Sequence, residues 1–289
     1  MDHALAAAWD AHAETYAELF APLTGYIARS LFRLAEGRLS ARATVLDIAC
    51  GAGALAMPAV ERAQLERART GHTGLVVATD FAPAMVELTR RAGAAIGAGD
   101  DLLRCQIEDG QALSFADASF DAAFSNFGIF LFAQRHAGWR EAARVLRPGG
   151  TFATAVWQGP ADNPMLRAQL GPILAALPPH LAPSSGPGPG SWLDIATADA
   201  LVAEVTSVAA FVDPRCVPFR ASLVLPSAEQ AWTALRTNPV LGGLLARCTV
   251  DELGAVEASV VGSFAQLAGG PGRPLVLDSV CNLLVATRA

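Results

Sequence analysis

The chain has 289 residues, of which 52% are hydrophobic, so it is long and apolar enough to bury the core of one large α/β domain. Its formal net charge is -6 and it carries no basic stripe that could neutralise phosphates, which excludes nucleic acid as an expected partner. Its five cysteines are scattered without C-x-x-C spacing or a His cluster, a pattern that excludes a zinc site, predicts no other metal and is typical of a reducing compartment.

The N-terminal segment, residues 3–36, is predicted to be helical, with two helices. Leu5, Trp9 and Tyr16 recur at helical-turn spacing, and Pro22 can occupy the first turn of the second helix. The stretch "MDHALAAAWDAHAETY" lacks the basic flank and apolar core of a signal peptide, and the chain has no run of about 18 uninterrupted apolar residues. We therefore expect a soluble, cytoplasmic protein with no membrane span.

Strand and helix patterns alternate through the middle of the chain, up to Trp157. "RPGG" follows the last helix of this region, where Pro148 and Gly149 suit a type II turn. Such alternation indicates parallel β-α-β units with right-handed crossovers, and near-continuous apolar strands indicate a sheet covered on both faces. The predicted strands are "ATVLDIA", "GLVVATD", "LLRCQIE", "FDAAFSNF" and "TFATAVW", and the predicted helices cover residues 54–69, Pro83 to about Ala94, and about Arg135 to Leu146.

After Trp157 the regular alternation ends. "NPMLRAQLGPILAAL" predicts a short helix interrupted by Pro172, and "PPHLAPSSGPGPG" predicts a flexible linker or the edge of a lid. We expect the C-terminal third to decorate the same sheet instead of forming an independent domain. Its remaining predicted helices are residues 197–209, "SAEQAWTALR" and "VDELGAVEASVVGSFAQLA", and its predicted strands are "RCVPFRASLVL" and "LVLDSVCNLLVATR".

The stretch "VLDIACGAGALA", residues 45–56, places a loop with two glycines where a strand meets a helix. Gly51 and Gly53 allow a sharp turn and a close approach of ligand atoms to the backbone. The following helix directs its free N–H groups to the same place. Residues 51–56 also fit G-x-G-x-x-A, the dinucleotide fingerprint. By itself the loop is either a ligand site or a glycine turn that only joins the two elements.

Three aspartates lie at or near the ends of successive predicted strands. Asp80 can accept both hydrogen bonds from a ribose diol, and Asp109 can accept one from an adenine amino group. Asp47 would repel a pyrophosphate but attract an ammonium group. The 27 residues between Gly53 and Asp80 exceed the usual dinucleotide spacing of about 20, so an NAD(P)-dependent oxidoreductase is the less favoured alternative.

Four stretches together resemble the class I S-adenosylmethionine-dependent methyltransferases: "VLDIACGAG", "VVATDFAPAMVELTRR", "CQIEDGQALSFADASFDAAFSNFG" and "EAARVLRPGGTFATAVW". The likeness covers about residues 9 to 157 and is greatest to the group that includes quinone and natural-product methyltransferases. It implies a Rossmann-like, seven-stranded, mostly parallel sheet with helices on both faces and an antiparallel last strand. It further implies one domain over residues 1–289, with a helical lid (1–40), a cofactor-binding core (41–157) and substrate-side insertions (158–196 and 226–268).

The resemblance also implies which residues bind the cofactor, S-adenosylmethionine, and its product S-adenosylhomocysteine. Asp47 would hold the amino group, Asp80 the ribose hydroxyls, and Asp109 the adenine amino group. Phe81 and Met85 could equally be ordinary packing residues. Ala49 replaces the first of three glycines found in many members, and its small size should still let the loop close. The complete set is Tyr16, Asp47, Ala49, Gly51, Gly53, Asp80, Phe81, Met85, Asp109, Gly110, Asn126 and Phe127.

The implied activity is methyl transfer to a small, hydrophobic or aromatic acceptor of the kind found in secondary metabolism, by in-line displacement. His12 is the candidate general base, needed only if the acceptor must lose a proton. Whether oxygen, nitrogen or carbon is methylated stays open, as does the oligomeric state, with a homodimer as one possibility. A cofactor-binding cyclase or regulatory protein is a further alternative. The candidate acceptor-binding residues are Trp9, Phe20, Phe130, His136, Trp157 and Trp192.

Overall fold

The computed structural model describes residues 3–181 and 191–289. Within them the helices and strands follow closely the order that the sequence pattern predicts. In chain order they are α1 His3–Leu19, α2 Ala21–Glu36, β1 Thr44–Ile48, α3 Ala56–Thr70, β2 Leu75–Asp80, α4 Pro83–Ala95, β3 Leu103–Ile107, β4 Phe120–Asn126, α5 Arg135–Val145, β5 Leu146–Trp157, α6 Pro164–Ala176, α7 Ala198–Val208, β6 Phe211–Leu225, α8 Ala228–Thr237, α9 Pro239–Leu245, α10 Val250–Leu267 and β7 Leu275–Arg288.

These strands form one seven-stranded sheet in the order β3-β2-β1-β4-β5-β7-β6. Strands β1 to β5 pair in parallel, whereas β7 is antiparallel to both of its neighbours, β5 and β6. The expected Rossmann-like sheet with an antiparallel last strand is therefore confirmed. The strand order reverses direction at β1, so the crevice at the carboxyl ends of β1 and β4 is where an open sheet of this kind binds ligands.

The sheet is covered on both faces, as the apolar strands predict. Val45 and Leu46, which are consecutive in β1, belong to two different buried clusters. The cluster that contains Val45 includes Ile27 of α2 and Trp232 of α8, whereas the cluster that contains Leu46 includes Trp139 of α5. Because successive side chains in a strand point to opposite faces, each face buries its own half of the strand residues.

Several boundaries differ from the sequence-based expectations. The helix expected to end at Leu146 ends at Val145, and β5 begins at once, with an irregular register against β4 before the "TFATAVW" segment. Pro172 lies inside α6, which continues past it. The seven-residue helix α9 was not expected, because its glycines weaken the helical pattern. Residues 182–190 of the predicted Pro/Gly linker lie outside the described residues.

Helix α1 lies over the carboxyl edge of the sheet and packs against α2, α4, α8 and α9. Helices α8 to α10 are inserted between β6 and β7. These two strands extend beyond the end of β5 at Trp157, since they stay paired from Phe219–Cys281 to Leu225–Leu275. This long hairpin carries the inserted helices to the edge of the sheet at which β1 and β4 end. None of the described helices has the length and apolar character that a membrane crossing requires.

Candidate functional site

The loop after β1 turns through three residues in left-handed backbone conformation. Gly51 has φ 54° and Gly53 has φ 85°, values that glycine adopts without steric cost, and Ala49 has φ 58°. The loop closes despite the alanine, because Cys50 N–H donates to Thr79 O at 2.9 Å and Gly53 N–H donates to Cys50 O at 2.9 Å. From α4, the Thr89 hydroxyl donates to Gly51 O at 2.8 Å. The backbone at Gly51 and Gly53 is therefore held in a fixed concave turn.

Asp47, the penultimate residue of β1, is 1% exposed, and neither of its carboxylate oxygens has a hydrogen-bond partner among residues 3–181 and 191–289. Burial raises the pKa of Asp47 to about 8, and the nearby Ala56 amide offsets only part of this rise. A buried carboxylate without a partner is costly, so such a group is typical of a site that awaits a cation or a hydrogen-bond donor. An ammonium group would supply both.

Asp80 ends β2 on the other side of the loop. Its two carboxylate oxygens accept hydrogen bonds of 3.0 Å from the Gly51 and Ala82 backbone N–H groups. These bonds hold the carboxylate in place, and burial still raises the pKa of Asp80 to about 6. Each oxygen keeps a free lone pair, because a carboxylate offers about four acceptor positions. Asp80 can therefore still accept the hydroxyl groups of a diol.

Asp109 follows β3, where it accepts hydrogen bonds from the backbone and side-chain N–H groups of Gln111 at 2.9 and 3.0 Å. Although burial alone would raise it, the pKa of Asp109 lies below its usual value, and these two donors contribute to the lowering. At the next residue, Gly110, a Cβ atom would come within 2.6 Å of the Phe132 ring. A larger residue than glycine would therefore collide with Phe132, and the ring of Phe132 packs directly on the Gly110 backbone.

Four aromatic side chains form a row, namely Trp9, His12 and Tyr16 of α1 and Phe20 at the junction of α1 and α2. Neighbouring rings in this row lie 6.0 to 6.3 Å apart between centroids. Tyr16 covers the glycine loop, since a Cβ atom on Gly51 would be 3.7 Å from its ring. Burial, together with the nearby Asp80 and Asp47 carboxylates, raises the pKa of Tyr16 and keeps its hydroxyl protonated.

The predicted adenine contacts, Phe81 and Met85, lie against the same row. With Ala13 and Ala82 they form a small cluster on which Trp9 and Tyr16 pack. Helix α1 is fastened there by Asp10, whose carboxylate accepts the Ala84 N–H at 2.7 Å, a capping bond at the start of α4.

His12 belongs to α1, is 1% exposed, and its side chain faces α8. Its Nδ1 is 2.9 Å from the Thr237 hydroxyl, and its Nε2 is buried with no hydrogen-bond partner in the described part of the chain. Burial lowers the pKa of His12 to about 4, so the ring is neutral near pH 7. A neutral imidazole with a free nitrogen can accept a proton, the role that the sequence suggested for this residue.

The end of β4 is joined to the N-terminal helices through Thr24. Asn126 Nδ2 donates to the Thr24 carbonyl at 3.1 Å, and the Tyr16 and Thr24 hydroxyl oxygens are 3.1 Å apart. Asn126 Oδ1 is buried and unpartnered within the described residues, and so remains available to a ligand. This chain of contacts places Asn126 beside the space under Tyr16.

A second aromatic group lies at the ends of β4 and β5. Phe127, which has φ 61°, stacks on Trp157 at 3.9 Å between ring centroids. Phe127 also meets Phe130 edge-on at 6.4 Å, and Phe130 meets Trp192 edge-on at 5.7 Å. Five of the six predicted acceptor-binding residues therefore lie in the two aromatic groups, Trp9 and Phe20 in the N-terminal row and the other three here.

His136 lies elsewhere, in an ion-pair cluster between α5 and α7. Its Nε2 is 3.3 Å from Glu204, whose carboxylate is held by Arg135 through two bonds of 2.8 Å and by the Trp139 indole N–H at 2.8 Å. Although burial opposes them, Arg135 and Trp139 hold the pKa of Glu204 below its usual value. The ring of His136 is thus engaged with Glu204, and the cluster braces the elements that carry Phe130 and Trp192.

Sequence patterns did not single out Asp10, Thr24, Thr89 or Thr237, although each makes one of the contacts that shape this site. Their partners lie 38 to 225 residues away along the chain, apart from the Tyr16–Thr24 contact. Only the "WDAHAETY" helix pattern could have pointed to Asp10. No group of three or more His, Cys, Asp or Glu side chains within the described ranges could hold a metal ion.

The geometry fits a ligand that carries an ammonium group, a diol and a flat ring. Asp47 meets the ammonium, Asp80 the diol, and the Phe81–Met85 cluster the ring, and the fixed backbone turn at Gly51 and Gly53 lies between them. S-adenosylmethionine has these three parts, so the residues present fit the cofactor that the sequence resemblance implies.

Comparison with known proteins identifies relatives of this chain. A family model described as a methyltransferase domain matches residues 46–154. Nocamycin O-methyltransferase of Saccharothrix syringae is 31% identical over 278 residues, which cover 92% of this chain and 91% of that protein. Demethylmenaquinone methyltransferase of Deinococcus radiodurans is 38% identical over 122 residues, 41% of this chain and 45% of its own. The crystal structure of the YcgJ protein from Bacillus subtilis has a TM-score of 0.53 at 18% identity, covers 90% of this chain and 97% of its own, and shows the same fold.

Proposed function

The chain belongs to the class I S-adenosylmethionine-dependent methyltransferases that methylate small molecules, and we propose that it methylates a hydroxyl oxygen of a hydrophobic or aromatic acceptor. The resemblance inferred from the sequence is thereby confirmed, and the oxidoreductase alternative is not favoured. The observation that carries the cofactor assignment is the buried carboxylate of Asp47 beneath the glycine loop, which has no hydrogen-bond partner among residues 3–181 and 191–289. An ammonium group satisfies it, whereas the pyrophosphate of a dinucleotide would be repelled.

We propose that the residues named from the sequence bind the cofactor. Asp47 holds the amino group, Asp80 accepts the ribose hydroxyls, and Asp109 accepts the adenine amino group beside the Gly110 N–H. Phe81 and Met85 pack on the adenine, and Tyr16 closes the site above Gly51. The cofactor supplies a methyl group on a positively charged sulfur, and S-adenosylhomocysteine is the product.

The protein's own contribution is to hold the acceptor oxygen in line with the methyl group in a dry pocket. Positioning of this kind can supply about 7–11 kcal/mol of the barrier reduction. Asn126 and Phe127 would lie beside the sulfur, and the Phe127–Trp157 stack would form an apolar wall for the acceptor. Phe130 and Trp192 extend this wall, and Trp9 of α1 and Phe20, between α1 and α2, would face it across the acceptor. Apolar walls with few polar groups favour a hydrophobic acceptor.

Oxygen is favoured over nitrogen or carbon for two reasons. The relative aligned over nearly the whole chain is named an O-methyltransferase. In addition, His12 offers a neutral ring nitrogen with no partner in the described residues, which suits an acceptor that must lose a proton. The name of that relative also supports a place in secondary metabolism.

Methylation assays with panels of hydrophobic phenols, enols and matched amines would test the proposal. We expect S-adenosylhomocysteine to form together with an acceptor that has gained one methyl group on oxygen, as located by NMR. Methylation of amines alone would overturn the choice of oxygen. Tight binding of S-adenosylhomocysteine with no methylated product from any panel would favour the cyclase or regulatory alternative. Tight binding of NADH with no binding of S-adenosylhomocysteine would overturn the cofactor assignment.

We further propose that residues 1–289 act as one cytoplasmic methyltransferase domain with α1 and α2 as its lid. Residues 226–268, which carry α8 to α10, would cover the acceptor side, together with the 158–196 insertion. Light scattering of the purified protein would show whether it forms the homodimer that the sequence leaves open.

A further inference from the structure

We infer that Thr237 is a positioning residue for catalysis, because its hydroxyl fixes the tautomer of His12 and leaves Nε2 as the atom that takes a proton from the acceptor. This inference rests on the proposed transfer to a hydroxyl oxygen. It adds to the site a residue of α8 that lies 225 positions away from His12 in the chain.

The hydrogen bonds around Thr237 determine where the proton of His12 lies. The Thr237 oxygen is 2.8 Å from the Thr233 carbonyl and 3.4 Å from the Ala234 carbonyl, both on its own helix. Carbonyl oxygens only accept, and a threonine hydroxyl has a single hydrogen to donate. The Thr233 carbonyl is the nearer of the two carbonyls, so we place that hydrogen on it, and the 2.9 Å contact with His12 then has Nδ1 as the donor. A neutral imidazole that carries its proton on Nδ1 has a free lone pair on Nε2.

The free lone pair of Nε2 is directed into the protein. Nε2 is buried and has no hydrogen-bond partner among the described residues, whereas Thr237, on the Nδ1 side, is exposed. The rings nearest to His12 are those of Trp9 and Tyr16, and Tyr16 covers the glycine loop at Gly51. An unpaired buried acceptor costs about 1–3 kcal/mol, and a hydroxyl group of a bound acceptor would remove that cost.

The chemical step balances with His12 in this role. The acceptor oxygen forms a bond to the methyl carbon while the carbon–sulfur bond breaks and its electron pair stays on sulfur. The hydroxyl proton passes to Nε2 of His12 and leaves to solvent after the product is released. One positive charge is present before and after the step, first on sulfur and then on the imidazolium, so no net charge is created in the dry pocket. Burial lowers the pKa of His12 to about 4, which keeps the ring unprotonated until the step occurs.

The test combines NMR with kinetics on the full-length protein. Long-range ¹H–¹⁵N spectra distinguish the two neutral tautomers of His12, and comparison with His12→Gln assigns its signals. Thr237→Val removes the hydroxyl while keeping the side-chain shape, and Thr237→Ser keeps the hydroxyl. Thr233→Val is the matched control, because Thr233 is exposed one turn earlier on α8 and its hydroxyl donates to Glu229 O of the same helix, its one side-chain bond among the described residues.

We expect His12 to carry its proton on Nδ1 in the wild type, Thr237→Ser and Thr233→Val, and to show a mixture of tautomers in Thr237→Val. With a hydroxyl acceptor, Thr237→Val should lower kcat about tenfold or more, part of the 10²–10⁴-fold that a general base supplies. KM and the affinity for S-adenosylhomocysteine should change less than about twofold, since Thr237 does not contact the cofactor residues.

A wild-type spectrum with the proton on Nε2, or an unchanged tautomer and kcat in Thr237→Val, would overturn the inference. The tautomer of His12 is observed without turnover, so a failure of the inference about Thr237 can be distinguished from a failure of the proposed function. If the tautomer is as expected but no hydroxyl acceptor is methylated, the assignment of the reaction fails while the structural role of Thr237 stands.

Discussion

Replacement of Asp47 by Asn tests whether the buried carboxylate exists for the cofactor. The substitution keeps the shape of the side chain but removes its charge and its ability to titrate. We expect opposite effects on the two states of the protein. The cofactor-free protein should become more stable, and the affinity for S-adenosylhomocysteine should fall.

The magnitude follows from the pKa of Asp47, which burial raises from 3.8 to about 8. At pH 7 the unfolded chain has lost this proton and the folded protein retains it, so about three pKa units act against folding, or about 4 kcal/mol at roughly 1.4 kcal/mol per unit. The buried Asn amide would itself lack partners, at a cost of about 1–3 kcal/mol. The net gain in the free energy of unfolding is thus about 1–3 kcal/mol, which raises Tm by several degrees at about 2–4 °C per kcal/mol.

The raised pKa also predicts that cofactor binding releases a proton. At pH 7 a group with a pKa of about 8 is protonated in roughly nine molecules of ten, and an ammonium ligand would favour its ionised form. Calorimetry of S-adenosylhomocysteine binding in buffers of different ionisation enthalpy should therefore show release of nearly one proton in the wild type. Asp47→Asn should release almost none and bind about 10- to 150-fold more weakly, because a charged hydrogen bond is worth about 1.5–3 kcal/mol.

The exposed residue Asp100 provides the matched control. Asp100→Asn changes the net charge equally but should alter neither Tm, affinity nor proton release. The reasoning would be refuted if Asp47→Asn destabilised the cofactor-free protein and still bound S-adenosylhomocysteine with wild-type affinity. Such a result would mean that Asp47 serves the fold and not the ligand.

Three further predictions concern packing, pH and a buried ion pair. Gly128→Ala should lower both Tm and cofactor affinity, because the added Cβ would lie 2.5 Å from the Ala49 side chain in the loop after β1. Gly25→Ala is the control: no atom lies within 4 Å of the Cβ that it adds, so it should leave both quantities intact or raise Tm slightly. Between pH 6.5 and 4 the unfolded chain protonates His12 and the folded protein does not, so this residue alone should cost up to about 3 kcal/mol of stability as the pH falls, whereas the raised pKa values of Asp47 and Asp80 act in the opposite direction. Urea titrations should therefore show His12→Gln gaining stability relative to the wild type as the pH falls through this range. Arg135→Met should cost about 3–5 kcal/mol, because Arg135 is 7% exposed and its loss leaves Glu204, whose side chain is only 13% exposed, without its bidentate cation; an unchanged urea midpoint would contradict this.

The order and type of most elements could be predicted from the sequence because each is encoded locally. Near-continuous apolar runs such as "GLVVATD" and amphipathic stretches such as residues 54–69 depend on neighbours within a few positions. The acids that end β1 and β2 could be located in the same way, since a strand end followed by a turn is itself a local pattern. The incorrect predictions have a non-local cause, because the continuation of α6 past Pro172 and the formation of α9 depend on packing that outweighs local propensity.

The sequence by itself therefore determined the parallel α/β sheet, the family and the aspartates at the strand ends, because periodicity and spacing are properties of short segments. Only the tertiary structure decided which polar atoms lack partners within the described part of the chain. The unpartnered oxygens of Asp47 and Asn126 there, and the contact of His12 with Thr237, depend on groups brought together from distant parts of the chain. Burial, which sets the pKa values of Asp47 and His12, is likewise the result of packing by many elements at once, and no short stretch of sequence encodes it.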